Sequence, residues 1–369
     1  MPSERKLLCS KVFSLERKPV CRKATGLEAG LLALCFLLGF SLRAFTQQQE
    51  PLTPEKGRAI FGILPRVADN PSNPVTPEKV TLGKSLFFDP RLSKSGVVSC
   101  NSCHNLAAGG VDGLPTSVGH LWQIGPRNAP TVFNAALQVA QFWDGRAKDV
   151  EEQAKGPLVN PKEMAATPEL IVARLKSISF YQESFRKAFP GDKDPVTFEN
   201  TARAIAAFER TLLTPSRFDR FLQGDEQALS PEEKVGLETF VQVGCISCHN
   251  GVGVGGGMFQ KFGIFRKPDG FKDLGRYEVT KNEADRYVFK VPSLRNVALT
   301  APYFTDGSVW DLGQAVRIMA DVQLNRKLSD VEVKRIVSFL KSLTADPRPE
   351  MTLPTLPAST PQTPKPQLQ

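Results

Sequence analysis

Histidine is scarce in this chain, three in 369 residues, so each imidazole carries weight. Cysteine is equally sparse where it matters: Cys9, Cys21 and Cys35 precede residue 45, leaving only Cys100, Cys103, Cys245 and Cys248 beyond it. The apolar stretch Ala29–Leu42 would make a helix of about 21 Å, short of the ~30 Å hydrocarbon core, which suits the core of an export signal better than a spanning helix. No dense Lys/Arg stripe with stacking aromatics occurs after residue 45, which excludes a nucleic-acid footprint. Of the net charge of +9, the excess of +5 falls in residues 1–45, so the body is mildly basic. What remains is a globular composition, 41% hydrophobic and 23% charged with 24 Phe, incompatible with collagen, coiled coil or disorder throughout. The length suffices for two domains of ordinary size.

The basic run through Arg5, Lys6, Lys11, Arg17, Lys18, Arg22 and Lys23, followed by Ala29–Leu42 and Arg43, has the order of an export signal. Residues 1–45 are therefore expected to be a signal peptide or an uncleaved N-terminal membrane anchor, with the body exported to the periplasm in either case. In an oxidising compartment two C-x-x-C pairs could be disulfides, a zinc site or a thioredoxin-like redox pair. The residue after each pair decides: Cys100-Asn101-Ser102-Cys103-His104 and Cys245-Ile246-Ser247-Cys248-His249 are both C-x-x-C-H, the attachment signature of c-type haem. Two thiols one turn apart bond two porphyrin vinyl groups while the adjacent imidazole reaches the iron. Two covalently bound haems are expected.

The motifs lie 145 residues apart, each preceded by a helix-like stretch with Gly and Phe, Gly83–Phe87 and Gly236–Phe240. The expected fold is all-α, two cytochrome c-like domains, each around one covalent haem, with connecting helices and loops. Their expected bounds are 46–214 and 215–345, followed by a Pro-rich extended tail over 346–369. Ser230-Pro231-Glu232-Glu233 and Ser329-Asp330-Val331-Glu332 read as capped helix starts. Leu170–Phe189 and Phe198–Leu213 read as amphipathic helices, the second stopped at Thr214-Pro215.

Two six-coordinate irons need four axial ligands. His104 and His249 supply two, and His120, sixteen residues beyond His104 on a Gly-rich loop, is the only imidazole left. The fourth must be a thioether from Met164, Met258, Met319 or Met351. Met319 is chosen because it lies seventy residues beyond His249, near the end of the helix-like run Leu312–Ile318. Soft thioether ligation favours ferrous iron, so His249/Met319 predicts a high potential and His104/His120 a low one.

At this point the chain resembles the bacterial di-haem cytochrome c peroxidase family from about residue 56 to 345. Carrying the resemblance are Leu86-Phe87-Phe88-Asp89-Pro90-Arg91-Leu92, Ser117-Val118-Gly119-His120, Gly125-Pro126-Arg127-Asn128, Gln141-Phe142-Trp143-Asp144-Gly145-Arg146, Glu152-Gln153-Ala154-Lys155-Gly156-Pro157, Asn160-Pro161-Lys162-Glu163-Met164 and Val291-Pro292-Ser293-Leu294-Arg295-Asn296-Val297. The resemblance implies reduction of hydrogen peroxide to water with electrons from a small periplasmic c-type cytochrome or cupredoxin, in a homodimer. It makes His120 a ligand that departs from the peroxidatic N-terminal haem when the C-terminal haem is reduced. It places Gln153 and Glu163 on the distal side, where a carboxyl can carry a proton to the leaving oxygen. It sets Trp143 between the haems, a position a packed core indole would equally fill. Asn128, with the backbone carbonyls of Thr300 and Pro302, matches an interdomain calcium site, oxygen donors suiting a hard cation; a hydrogen-bonded loop is the other reading of those residues.

One departure is Thr305, where members of the family often carry His. Two other functions are weighed. A di-haem electron carrier would keep His120 bound at every redox level. A relative that oxidises a protein substrate to build a quinone cofactor would place Tyr on the second iron, and none of Tyr181, Tyr277, Tyr287 or Tyr303 stands at the position of Met319.

Overall fold

The computed structural model describes residues 52–345 and 352–368; the leader expected over 1–45 and the start of the tail lie outside them. The described helices are α1 (Pro54–Phe61), α2 (Pro77–Phe88), α3 (Cys100–Cys103), α4 (Val150–Val159), α5 (Pro168–Lys176), α6 (Ser179–Ala188), α7 (Phe198–Glu209), α8 (Arg217–Leu222), α9 (Pro231–Val243), α10 (Tyr277–Thr280), α11 (Leu312–Leu324) and α12 (Asp330–Ser342). The expectation of a purely helical chain needs one correction: β1 (Phe259–Lys261) and β2 (Val288–Lys290) pair antiparallel, Phe259 opposite Lys290.

Local chemistry explains most helix starts. Threonine hydroxyls of Thr53, Thr76 and Thr167 cap α1, α2 and α5, each with Pro in the first turn, where its missing N–H costs nothing. The two expected capping boxes are present at Ser230 and Ser329. Leu170–Phe189 is two helices rather than one. Ser177 turns its hydroxyl onto the Arg174 carbonyl at 2.6 Å and Ile178 is extended, so the backbone is diverted between α5 and α6. The Leu312–Ile318 run continues to Leu324, which puts Met319 mid-helix rather than near an end.

Two hydrophobic clusters are built on the same plan. In the first, α2 crosses α7 so closely that a Cβ on Gly83 would lie 1.9 Å from the Ala204 carbonyl oxygen, and one turn on Phe87 meets Phe208 edge-on at 5.5 Å. In the second, α9 crosses α12 with Gly236 2.1 Å by the same measure from the Arg335 oxygen, and Phe240 meets Phe339 at 5.2 Å. Only glycine permits such contact between helix backbones. Phe61 of α1, inside the bounds expected for the first domain, packs instead into the second cluster, with Phe218 at 5.1 Å.

The tail has no helix or strand over 352–368, as expected, but it is anchored rather than loose. The buried guanidinium of Arg174 donates to the carbonyls of Arg91 (2.7 Å) and Ser93 (2.5 Å) on one side and of Pro364 (3.1 Å) and Lys365 (3.0 Å) on the other. The Gln367 amide adds a bond to the Lys94 carbonyl at 3.0 Å.

A second repeat links the clusters. Pro130, Asn134 and Phe142-Trp143-Asp144-Gly145 recur at the same spacing as Pro292, Asn296 and Phe304-Thr305-Asp306-Gly307. The backbone repeats with it: Asn134 and Asn296 are left-handed with φ of 60° and 61°, and Phe142 and Phe304 with 65° and 70°. Both asparagine amides donate to one hydroxyl, that of Thr214, at 2.6 and 2.8 Å. The equivalent backbone amides also clasp reciprocally, Asn128 N–H onto the Thr305 carbonyl (2.7 Å) and Lys290 N–H onto the Trp143 carbonyl (2.8 Å).

Candidate active site

The second C-x-x-C-H motif leaves α9 through Gly244, whose φ of 101° turns the chain into one tight turn, Cys245–Ser247. Beyond it the loop is pinned from the Val291–Val297 segment. Ser293 Oγ donates to the Gly253 carbonyl and Arg295 Nε to that of Val252, both at 2.6 Å, while the Arg295 fork grips Asp219 with two bonds of 2.8 Å, fully buried. This presents His249, Cys245, Cys248 and Met319 to one large cavity with Phe240, Phe262 and Phe289 on its walls. Burial pulls the His249 imidazole down to about 4, against the neighbouring backbone of Val254 and Pro292, so the ring is neutral and keeps a lone pair for a metal. Its Nδ1 is buried without a completed hydrogen bond. Tyr303 also lines this cavity, but its hydroxyl is engaged with the Val297 carbonyl at 3.1 Å.

At the first motif, α3 is closed by reciprocal Ser99 and Ser102 contacts and His104 is its C-cap. Burial lowers the His104 imidazole as it does His249. The thiols behave oppositely to reactive ones: burial raises Cys100 strongly, Cys103 to about 11 and Cys245 to about 12. Protonated buried thiols do not suit a redox pair, which needs a stabilised thiolate. All four cysteines are free, and no group of three or more His, Cys, Asp or Glu converges on a zinc-like site among the described residues. Apolar walls, paired cysteines and neutral, unpartnered imidazoles fit a covalently held porphyrin.

His120 is 4% exposed, its Nδ1 again without a partner, on a tightly held loop. Its amide donates to the Glu163 carbonyl at 2.7 Å, and Gly119 abuts Lys162 and Glu163 so tightly that a Cβ would sit 2.1 Å from the Lys162 oxygen. Leu121 and Trp122 are both left-handed, with φ of 54° and 63°, and Trp122 is 86% exposed. Two consecutive non-glycine residues in that region store strain. Burial raises the Glu163 carboxyl above the ordinary range, opposed by the Asn160 amide, which donates to Oε1 at 2.6 Å, and by Arg146, whose guanidinium lies over the Phe142 ring.

His120 and Glu163 are thus brought together through the backbone. Gln153 stands half-buried on α4 with no hydrogen bond joining it to Glu163. Trp143 donates from Nε1 to the Asn128 carbonyl at 2.9 Å, and Asn128, Thr300 and Pro302 share the cavity wall that carries His249 and Met319. The Asn128 amide is itself used, donating to the Leu114 carbonyl at 2.8 Å. Thr305, in the departure position, is the repeat equivalent of Trp143, and its buried hydroxyl has no partner. Sequence reasoning missed the ion cluster of Arg127 with Asp144 and Asp273, the latter at 2.8 Å, and the buried Lys290. The equal spacing of the Pro130 and Pro292 segments was a signal for the clasp; nothing local marks Asp273.

A helical protein with two C-x-x-C-H motifs, a buried histidine on a strained loop and a half-buried carboxyl on the segment to which that loop is bonded has the features of a di-haem redox enzyme. The family model described as di-haem cytochrome c peroxidase matches residues 77–227. The chain is 52% identical over 318 residues to cytochrome c551 peroxidase of Pseudomonas aeruginosa, covering 85% of this chain and 92% of that one. It is 54% identical over 344 residues to cytochrome c551 peroxidase of Nitrosomonas europaea, covering 92% and 98%. A crystal structure of a MauG-like protein associated with microbial copper homeostasis superposes with a TM-score of 0.70 at 28% identity, covering 82% of this chain and 97% of that one. The chain belongs to the di-haem cytochrome c peroxidase family and is an oxidoreductase of that kind.

Proposed function

We propose that the chain reduces hydrogen peroxide to two waters at the first site, consuming two electrons and two protons, with electrons entering through the second. The observation that carries this is the joint placement of His120 and Glu163: the strained loop that buries the imidazole is fastened to the backbone of the residue with the proton-holding carboxyl. Each half is a cytochrome c-like domain, as the repeated Gly83/Gly236 crossings and the Pro130/Pro292 segments support. Cys100, Cys103 and His104 would hold one haem and Cys245, Cys248 and His249 the other, with His120 and Met319 the further residues that would ligate them. When bound, the haems would supply the redox chemistry and electron storage.

The chain's own residues do the rest. Reversal of the left-handed turn at Leu121-Trp122 lets His120 swing out and admits peroxide. Asn160 fixes Oε1 of Glu163, leaving Oε2 to carry a proton to the leaving oxygen, and burial keeps that carboxyl protonated to higher pH. Gln153 orients peroxide from α4. Trp143, bridging Asn128 and Lys290, lies on the electron route between the sites. Asn128 with the Thr300 and Pro302 carbonyls would hold a calcium ion, which would couple the halves. The donor is a small c-type cytochrome or cupredoxin in the periplasm, and the enzyme is a homodimer; a tether through residues 1–45 lies outside the described residues. No helix among the described residues is long and apolar enough to cross a membrane.

The test is to half-reduce haem-loaded protein, so that only the high-potential haem takes an electron, and add one equivalent of peroxide. Rapid loss of the ferrous absorption is expected. Both haems remaining six-coordinate, without reaction, would instead make the chain an electron carrier.

A further inference from the structure

Lys290 is 5% exposed and ends β2 in the wall of the cavity that carries Cys245, Cys248 and His249. Its ammonium has a single partner, the neutral side-chain oxygen Oε1 of Gln138. Among the described residues no carboxylate opposes its desolvation, and burial alone pulls it down to about 8. A buried ammonium left with one amide is a costly arrangement unless an anion completes it.

Its place in the repeat gives the position meaning. Lys290 stands two residues before Pro292, as Asn128 stands two before Pro130. The backbone amides of both clasp the opposite half, onto Trp143 and Thr305 respectively. The second half therefore has a built-in cation where the first has the proposed calcium ligand. Lys290 is anchored on the wall made by the other half, whereas the cysteines sit at the end of α9. A porphyrin bonded to those cysteines through its vinyl edge presents its two propionates from the opposite edge, and these are the missing carboxylates.

We infer that Lys290 is the propionate-binding residue of the second haem site, its ammonium pairing with a carboxylate of the haem that Cys245, Cys248 and His249 attach. This rests on the haem assignment proposed above. The pair fixes the porphyrin edge against Trp143. By leaving less net negative charge beside the iron, it stabilises the reduced state and holds the potential of this haem up.

The test is spectroelectrochemical titration of full-length, haem-loaded Lys290→Met and Lys290→Arg, with haem counted per chain in the same samples. With two haems present, Lys290→Met is expected to make reduction of the second haem less favourable by about tenfold, ~59 mV for a one-electron couple. Lys290→Arg should keep the wild-type value, and the first haem should move less. An unchanged second potential in two-haem Lys290→Met, or a fall confined to the first haem, would reduce Lys290 to a structural tie onto Gln138 and overturn the inference. Wild-type protein with fewer than two haems would instead sink the haem assignment, and the inference with it. If Lys290→Met does not mature, resonance Raman spectra of the wild type in H2O and D2O decide. A propionate bending mode of the second haem that shifts in D2O in wild type and not in Lys290→Gln is expected, and an identical response in both overturns the pairing.

Discussion

The two halves share a scaffold and differ in what carries Met319 and His120, the proposed far-side ligands. In the second, Met319 stands in the middle of α11, a 13-residue helix capped by Asp311 and packed on α12. In the first, His120 stands on a single turn with two left-handed residues and an exposed indole. A ligand carried by a packed helix moves only if the helix moves, whereas a strained turn on the surface is released at small cost. Equal attachment motifs on unequal supports are what the proposed division of labour requires, electron storage at one site and substrate access at the other.

The sharpest break in that comparison is Glu163→Gln, which touches only the first half. Peroxide turnover is expected to fall by about 10²–10⁴-fold, the usual worth of a general acid or base. The second haem should keep its potential and both haems their attachment; steady-state kinetics beside a redox titration checks this, and full turnover would remove Glu163 from the mechanism.

Next in size are the paired substitutions Gly83→Ala and Gly236→Ala. Each drives a Cβ into a facing backbone carbonyl, 1.9 and 2.1 Å away, so the helices must separate, at about 1–3 kcal/mol or more. Gly83→Ala should disturb peroxide reaction and spare the high-potential couple, and Gly236→Ala the reverse. Denaturant unfolding and the redox titration report both, and identical effects on the two haems would argue against independent halves.

The smallest effect concerns Glu209, buried on α7 where the second half has Leu340 at the equivalent place on α12. Burial, with Glu151 nearby, raises this carboxyl from 4.5 to about 8. Because the folded value exceeds the unfolded one, its contribution to stability is present in full below pH 4.5 and is lost as pH rises through about 8. Unfolding midpoints measured from pH 5 to 9 should fall across that range in the wild type. Glu209→Gln should flatten the profile, and an equally steep fall in the variant would place the dependence elsewhere.

The C-x-x-C-H motifs were legible in the sequence because covalent chemistry with a fixed porphyrin demands local spacing, and helix starts because capping is settled within four residues. The Gly83 and Gly236 stretches stood out, but the reason for glycine is in Ala204 and Arg335, far along the chain. A break at Ser177 was hidden since a side chain choosing its own backbone leaves the apolar pattern intact. His120 and Glu163 could be nominated by counting ligands and by resemblance, while their joining through one amide and one carbonyl required the folded chain.

By itself the sequence determined the cofactor chemistry, the two-fold plan and the family. Tertiary structure alone decided that Thr214 receives both asparagines, that the tail closes on Arg174, that Asp219 neutralises Arg295, and that Lys290 is buried without a carboxylate. Those outcomes depend on which distant groups share a low-dielectric interior, where an ion or hydrogen-bonding group must find a partner, and no local pattern along the chain encodes who that partner is.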